Sequence, residues 1–338
     1  MKTINTKKRI IKRIITGIRP TATLTIANLI GAAFPLLELQ KLNNEHEILV
    51  FVATMHGLTD HEPEQLKTSD IVKDYIALGL DPNKITIFDQ FAIRKEVALL
   101  KIYFERLIKV SRVCGIPTLK DKLKEGQNPE SANVLLMAYP IMMAVDILLQ
   151  DASLVPVGKD QFSHMEVARE LADAFNTKYG TGKNIVIRPE TMNVKDPINI
   201  LSLTGDGKMS KSKPEGAIFL TDSPAEIKRK MKRAETAEEG EMSEKLESLM
   251  TIIEKLDPNK TPEMNSIITR HKKGEKVMGE FKDFTTSMLI EFTQNFQKKR
   301  SEITDKQVLE ILEQGAIVAK THANEVIKRV EFAMGLLR

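Results

Sequence analysis

The stretch Arg13-Ile14-Ile15-Thr16-Gly17-Ile18 breaks at Arg19-Pro20-Thr21, and apolar residues at helical spacing follow it. From Thr25-Ile26-Ala27-Asn28 they run through Leu29, Ile30, Ala33, Phe34, Leu36 and Leu37 to Leu39-Gln40. The first part reads as a short buried strand and the second as a helix that opens at the turn between them. Free N–H groups at the start of such a helix point back at the turn, a ready site for an anion or nucleotide and the crevice geometry of a doubly wound sheet. Working outward, strand patterns at residues 48–53, 84–88, 153–157 and 184–187 alternate with helical ones, which argues a parallel sheet. Beyond Thr221 the pattern reads as helices only, rich in Lys and Glu. The expected fold is therefore α/β, a Rossmann-like doubly wound parallel sheet over residues 1–221, with a smaller all-helical part over residues 222–338. A last long helix opens at Thr304-Asp305-Lys306-Gln307. Its stripe Val308, Ile311, Leu312, Ala319, Val326, Val330 and Ala333 is fit to pack on another helix or on the first domain.

A second stretch, Lys208-Met209-Ser210-Lys211-Ser212, places two ammonium groups and two hydroxyls on a short loop preceded by Gly205 and Gly207. Lysine is a mobile point charge for phosphate oxygens, serine adds hydrogen bonds, and glycine lets the backbone rearrange as charge moves. A basic turn of this composition is also compatible with a merely solvated surface.

A third stretch, Tyr139-Pro140-Ile141-Met142-Met143-Ala144-Val145-Asp146-Ile147-Leu148-Leu149, is an apolar helix with one carboxylate inside it. Spacing puts Tyr139, Met143 and Asp146 on one face. Burying that charge is costly unless a donor meets it. Met143 offers a polarizable surface to an aromatic ring, and Asp146 can accept the N–H that separates an indole from a phenyl ring. On the helix alone, a pairing of Asp146 with an internal arginine stays equally open.

Leu154-Val155-Pro156-Val157-Gly158-Lys159-Asp160-Gln161 and His164-Met165-Glu166 continue the block as strand, turn and helix. Together the three stretches resemble bacterial tryptophanyl-tRNA synthetases of the class I aminoacyl-tRNA synthetase family, from about Thr16 to the closing Ala333-Met334-Gly335-Leu336. Residues 208–212 match that family's signature loop, and Thr25 to Asn28 stand where its N-terminal tetrapeptide lies. The resemblance implies ATP-dependent activation of L-tryptophan and its transfer to tRNA(Trp), with ATP as substrate, Mg2+ as its companion, and a homodimer. It implies that Lys208, Lys211, Thr25 and Asn28 serve catalysis. ATP would be bound by Gly17, Arg19, Pro20, Thr21, Ala27, Asn28, Gly158, Lys159, Asp160, Ile200, Lys208, Met209, Ser210, Lys211 and Ser212. Tryptophan would be bound by Asp146, Met143, Tyr139, Gln161, His56, Ile147, Val155 and Val157.

Four positions depart from the family pattern. Ala27 and Ala22 stand in place of glycines, Lys159 in place of a glutamate and Thr54 in place of an acidic residue. They keep two alternatives on the page: a paralogue that binds ATP and an aromatic ligand but charges poorly, and a tyrosine-specific synthetase. An RNA-binding module without chemistry is a third, opposed by the intact Lys208, Lys211 and Asp146.

The 338 residues suffice for one large and one small domain, leaving no length for an editing insertion. A formal charge of +4 is only mildly basic, so affinity for RNA has to come from local clusters. Two stand out: Lys2, Lys7, Lys8, Arg9, Lys12 and Arg13 at the N-terminus, and Lys228, Arg229, Lys230, Lys232 and Arg233 on a helix that Ser223-Pro224-Ala225-Glu226 would cap. The N-terminal run reads as a short extension, and nothing in the chain reads as a span able to cross a bilayer, so no membrane association is expected and the location is cytoplasmic. The single Cys114 permits no internal disulfide and agrees with a reducing compartment. No metal site of the protein's own is expected.

Overall fold

The computed structural model describes residues 12–21, 23–117, 119, 132–158, 161–193 and 198–337. Five strands, β1 (Lys12–Ile18), β2 (His46–Val52), β3 (Thr86–Asp89), β4 (Leu154–Val157) and β5 (Glu190–Asn193), form one sheet in the order β3-β2-β1-β4-β5. Every pairing is parallel. The order reverses between β1 and β4, which is the switch point where doubly wound sheets open a crevice at the carboxyl ends of the strands. Gly17 and Arg19 at the end of β1, and Val157 and Gly158 at the end of β4, lie at that crevice.

The longer helices among the described residues are α1 (Thr68–Ala77), α2 (Arg94–Glu105), α3 (Val134–Leu148), α4 (Phe162–Tyr179), α5 (Pro224–Arg233), α6 (Glu244–Leu256), α7 (Thr261–Lys272), α8 (Met278–Glu302) and α9 (Asp305–Ala333). One face of the sheet, carrying Ile14, Ile48 and Val50, shares a buried core with the helix after β1, with α1 and with α5 to α8. The other face, carrying Ile15, Leu49 and Val155, is covered by α2, α3, α4 and α9. Both faces are buried, which is why these strands read as near-continuous apolar runs.

Two expectations need correction. Residues 184–187 form no strand, because the side chain of Asn176 on α4 takes the amides of Ile185 and Val186 (2.8 and 3.0 Å) and donates to the Val186 carbonyl (2.8 Å). With those backbone groups occupied, the fifth strand forms at Glu190–Asn193, a polar edge sequence without an apolar signature. The helix after β1 is not continuous either. An α turn at Ile26–Asn28 widens into a π-helical turn at Leu29–Ala33 before α geometry resumes at Phe34–Leu39. Pro35 has no N–H for an α-type bond, and a wide turn just before it absorbs the loss.

Helix α9 begins at the expected capping box, in which Thr304 and Gln307 satisfy each other's backbone amides. It lies along β3 at the sheet edge. A Cβ on Gly315 would stand 1.8 Å from the carbonyl oxygen of Ile87, so only glycine allows this approach. The unpaired edge of β3 is thereby covered. The substitution Gly315→Ala should push α9 off the strand and cost about 1–3 kcal/mol; the midpoint of urea unfolding measures it, and a midpoint equal to wild type would show that the contact yields freely.

Candidate active site

The turn after β1 and the lysine loop are stitched together by backbone. Thr25 bridges Phe219, the Ile26 amide donates to the Ile218 carbonyl (2.9 Å), and the Leu220 amide donates to the Leu24 carbonyl (2.9 Å). The loop doubles back on itself: Leu201 bridges Lys208, the Met209 amide donates to the Ile200 carbonyl (2.8 Å), and Met209 and Ile200 are both buried. Gly205 and Gly207, at φ 64° and 92°, supply left-handed positions that this turn requires. Lys208 points to solvent from the rim, whereas the ammonium of Lys211 donates to the carbonyl and hydroxyl of Thr21 (3.0 and 3.3 Å). Burial and the neighbouring Arg19 guanidinium hold the Lys211 ammonium below its usual pKa, against the opposing pull of Asp74. Ser210 and Ser212 hydroxyls meet each other at 3.1 Å.

The helix start itself offers less than the sequence promised. Thr25 is fully buried, and its hydroxyl accepts the Asn28 amide while Asn28 Oδ1 receives the Thr25 amide (both 3.2 Å). With the Ile26 amide also engaged, two of the amides expected to face an anion already have partners. Charge at this end of the crevice comes from side chains, Arg19, Lys208 and Lys211. Thr23, a β-branched residue at φ 62°, holds a left-handed conformation in the same turn, a strain of about 1–3 kcal/mol that persists only where the surroundings fix it. Gly17 is exposed at the strand end. A side chain there would drive into the Phe51 ring at 2.7 Å, so packing as well as access requires the glycine.

On the other side of the sheet, Asp146 is buried on α3, and among the described residues no arginine forms an ion pair with it. His56 Nε2 lies 2.8 Å from Oδ2, and the amide nitrogen of Gln90 lies 2.8 Å from both oxygens. Gln90, itself fully buried, spends its own oxygen on the amides of Met55 and His56 (2.9 and 3.3 Å). The alternative of an arginine partner thus gives way to a His–Gln pair, brought in from the ends of β2 and β3. Sequence reasoning missed Gln90, whose only signal was a polar residue directly after an apolar strand. Between Ala138 and Gln150 every residue is buried except Met143, which is half-buried. The apolar helix therefore opens on its Met143 side, one turn from Asp146. Tyr139 is buried edge-on to His164, ring centroids 5.4 Å apart, and Ile147, Val155 and Val157 are buried nearby in the same core. Gln161 occupies the position just before the first turn of α4.

Thr54, read as the loss of an acid, donates its hydroxyl to the carboxylate of Asp89 at the end of β3. A carboxylate therefore stands beside position 54 after all, supplied by the neighbouring strand. In the basic run 228–233, Lys230 is buried in an ion pair with Asp222 (2.7 Å) and cannot meet a phosphate, while Arg229 and Arg233 lie against Glu215. Lys159, Asp160, Ala22, Lys2, Lys7, Lys8 and Arg9 lie outside the described residues.

The family described as tRNA synthetases class I (W and Y) matches residues 7–333. A tryptophan--tRNA ligase of Prochlorococcus marinus is 35% identical over 358 residues, covering 96% of this chain and 98% of the relative. A Helicobacter pylori protein of the same description is 34% identical, covering 96% and 99%. The crystal structure of a Campylobacter jejuni tryptophanyl-tRNA synthetase complexed with ADP and tryptophan superposes with a TM-score of 0.80 at 26% identity, over 96% of this chain and 99% of the other. A tyrosyl-tRNA synthetase of Aeropyrum pernix, at TM-score 0.64 and 21% identity over 90% and 89%, shares the fold.

Replacing Gln90 by alanine should leave Asp146 with one donor fewer and strip the Met55 and His56 amides of their acceptor. The expected loss is about 1–3 kcal/mol of stability, measured by denaturant unfolding; an unchanged midpoint would mean that water replaces the amide at no cost.

Proposed function

Because this chain belongs to the class I tRNA synthetases of the tryptophan and tyrosine group, we propose that it is a tryptophan--tRNA ligase, an ATP-dependent enzyme of translation. The observation that carries the choice of tryptophan is the likeness, over nearly the whole of both chains, to tryptophan--tRNA ligases, joined to a buried carboxylate at Asp146 beside the opening at Met143. An ionised carboxylate accepts at about four lone-pair sites. His56 and Gln90 bring two donor groups to Asp146, fewer than it can accept, which leaves capacity for an indole N–H. A site built around a specific N–H rejects rings that lack it strongly. Met143, Ile147, Val155 and Val157 would form the walls, and Tyr139 and Gln161 would hold the ammonium or carboxylate of the amino acid.

In the proposed reaction a tryptophan carboxylate oxygen attacks the α-phosphorus of ATP. A C–O–P bond forms as the bond from Pα to the bridging oxygen breaks, and pyrophosphate departs with the electron pair. A ribose hydroxyl of the tRNA terminus then attacks the carbonyl carbon, and AMP leaves. Lys208 and Lys211 would offset the charge that grows on the departing pyrophosphate. Arg19, Pro20, Thr21, Ile200, Met209, Ser210 and Ser212 would border the nucleotide, with Gly17, Gly158, Lys159 and Asp160 at the strand ends. Thr25 and Asn28 shape the turn through their mutual cap, and Asn28 would turn its amide toward ribose or phosphate. Magnesium would enter with the triphosphate as part of the substrate. Among the described residues no group of three or more His, Cys, Asp or Glu could hold a metal, and this hard cation is satisfied by phosphate oxygens and water with few protein ligands.

Residues 222–338 would carry the anticodon end of tRNA(Trp), with the exposed Lys228 and Lys232 available to its phosphates, and with Arg229 and Arg233 joining them on leaving Glu215. A homodimer would use the apolar surface where Ile102, Val110 and Val134 stand out to solvent on adjoining elements. Among the described residues no helix is long and apolar enough to cross a membrane.

Purified protein should exchange labelled pyrophosphate into ATP with tryptophan and not with tyrosine, and exchange with tyrosine alone would overturn the assignment. In the same assay Asp146→Ala should raise the apparent KM for tryptophan, the loss of a charged hydrogen bond being worth about 1.5–3 kcal/mol, roughly ten- to hundredfold. Ala27→Gly should lower the KM for ATP if the half-buried methyl crowds the adenine; an unchanged value would show that the backbone already accommodates it.

A further inference from the structure

The lysine loop rises from a turn at residues 202–207 that is tied to the helical part of the chain. Lys245, in the first turn of α6, makes the main tie. Its ammonium donates to the Ser202 carbonyl (2.6 Å) and to the Gly205 carbonyl, and lies 3.6 Å from a carboxylate oxygen of Glu235. Glu235, in the segment between α5 and α6, accepts the Gly205 amide at 2.7 Å, and its own amide donates to the Leu203 carbonyl at 2.8 Å. One turn along α6, the Ser248 hydroxyl accepts the Leu201 amide (2.8 Å). Only 17% of the Lys245 side chain is exposed, so its ammonium is committed to the turn and is not a further solvent-facing charge for phosphate. The Gly205 amide, with Lys245 beside it, holds the Glu235 carboxyl below the usual carboxylate range, which keeps it ionised at neutral pH.

The turn depends on such ties. Gly205 and Gly207 are left-handed, and a Cβ on either would stand in open space, so packing does not brace the turn there and charged hydrogen bonds do. The Ser202 amide donates to the Gly207 carbonyl (2.9 Å), so whatever fixes Ser202 also fixes the residue before Lys208. We infer that Lys245 and Glu235 are positioning residues for the adenylation step, a clasp that fixes the root of the lysine loop and so sets where Lys208 and Lys211 stand as charge grows on the departing pyrophosphate. The inference rests on the reading of those two lysines as phosphate-facing. Neither member of the clasp touches substrate. The tryptophan pocket takes its polar groups from the ends of β2 and β3 and from α3, so it should be indifferent to the clasp.

Lys245→Met keeps the stem of the side chain and removes the ammonium. In tryptophan-dependent pyrophosphate exchange it should lower kcat roughly ten- to hundredfold, while the KM for tryptophan stays within about twofold of wild type. Glu235→Ala should give the same split. The double variant should lose little beyond the worse of the two, because both residues act on one turn; losses that multiply would mean two unrelated sites and overturn the clasp. Deuterium uptake followed by mass spectrometry in the ligand-free protein should quicken at the amides of residues 201–209 in either variant and stay unchanged at residues 139–149. That readout needs no turnover, so wild type without pyrophosphate exchange would refute the proposed function while deuterium uptake still decides the clasp. Equal quickening in both segments, a KM for tryptophan that rises as kcat falls, or an unchanged kcat in an active enzyme would each overturn the inference. Thermal melts by circular dichroism identify a variant that fails to fold, and Glu235→Ala, at a half-exposed position, then carries the test.

Discussion

A carboxylate buried in an apolar helix has to be met by donors, and here those donors come from the ends of two strands. Asp146 draws His56 from the end of β2 and Gln90 from the end of β3 onto α3, and Gln90 returns its oxygen to the backbone beside His56. The result is a polar knot closing one side of the sheet where the strands end. Each member depends on the others. The desolvated charge fixes the amide of Gln90, the amide fixes the turn after β2, and the turn presents His56. The members of the knot hold one another in place without the help of a ligand.

The other side of the crevice is made differently. Its charged groups are long side chains on a turn with two left-handed glycines, and the helix start behind them is already satisfied by its own cap. Buried, mutually engaged polar groups and exposed or half-buried long charged side chains thus fall on opposite sides of the switch point between β1 and β4.

Much of this was legible in the residues. The strands at 13–18, 48–53, 84–88 and 153–157 announced themselves because burial on both faces makes them apolar throughout, and the lysine loop and the Asp146 helix were visible from charge set against its surroundings. What stayed hidden had a common cause: side-chain interactions that reach across from one element or turn to another, outside any periodic pattern. Nothing near Asn184 shows that Asn176 will claim its neighbours' amides, so an apolar run read as a strand and the polar strand at Glu190–Asn193 went unread. The pairing of Asp146 with Gln90 spans more than one strand and helix, and Lys230 looks like its basic neighbours until Asp222 is seen to bury it. The interrupted helix after β1 was locally signalled by Pro35, whose missing donor the π turn accommodates.

Gly315 against Ile87 also bears on how the chain is made. The ribosome releases β3 more than two hundred residues before α9, so in the interval the outer strand of the sheet has an open backbone edge, able to pair with any other extended chain nearby. A nascent chain halted before α9 would carry the rest of the sheet beside an uncovered edge, and such fragments should be clients of chaperones and seeds of aggregation.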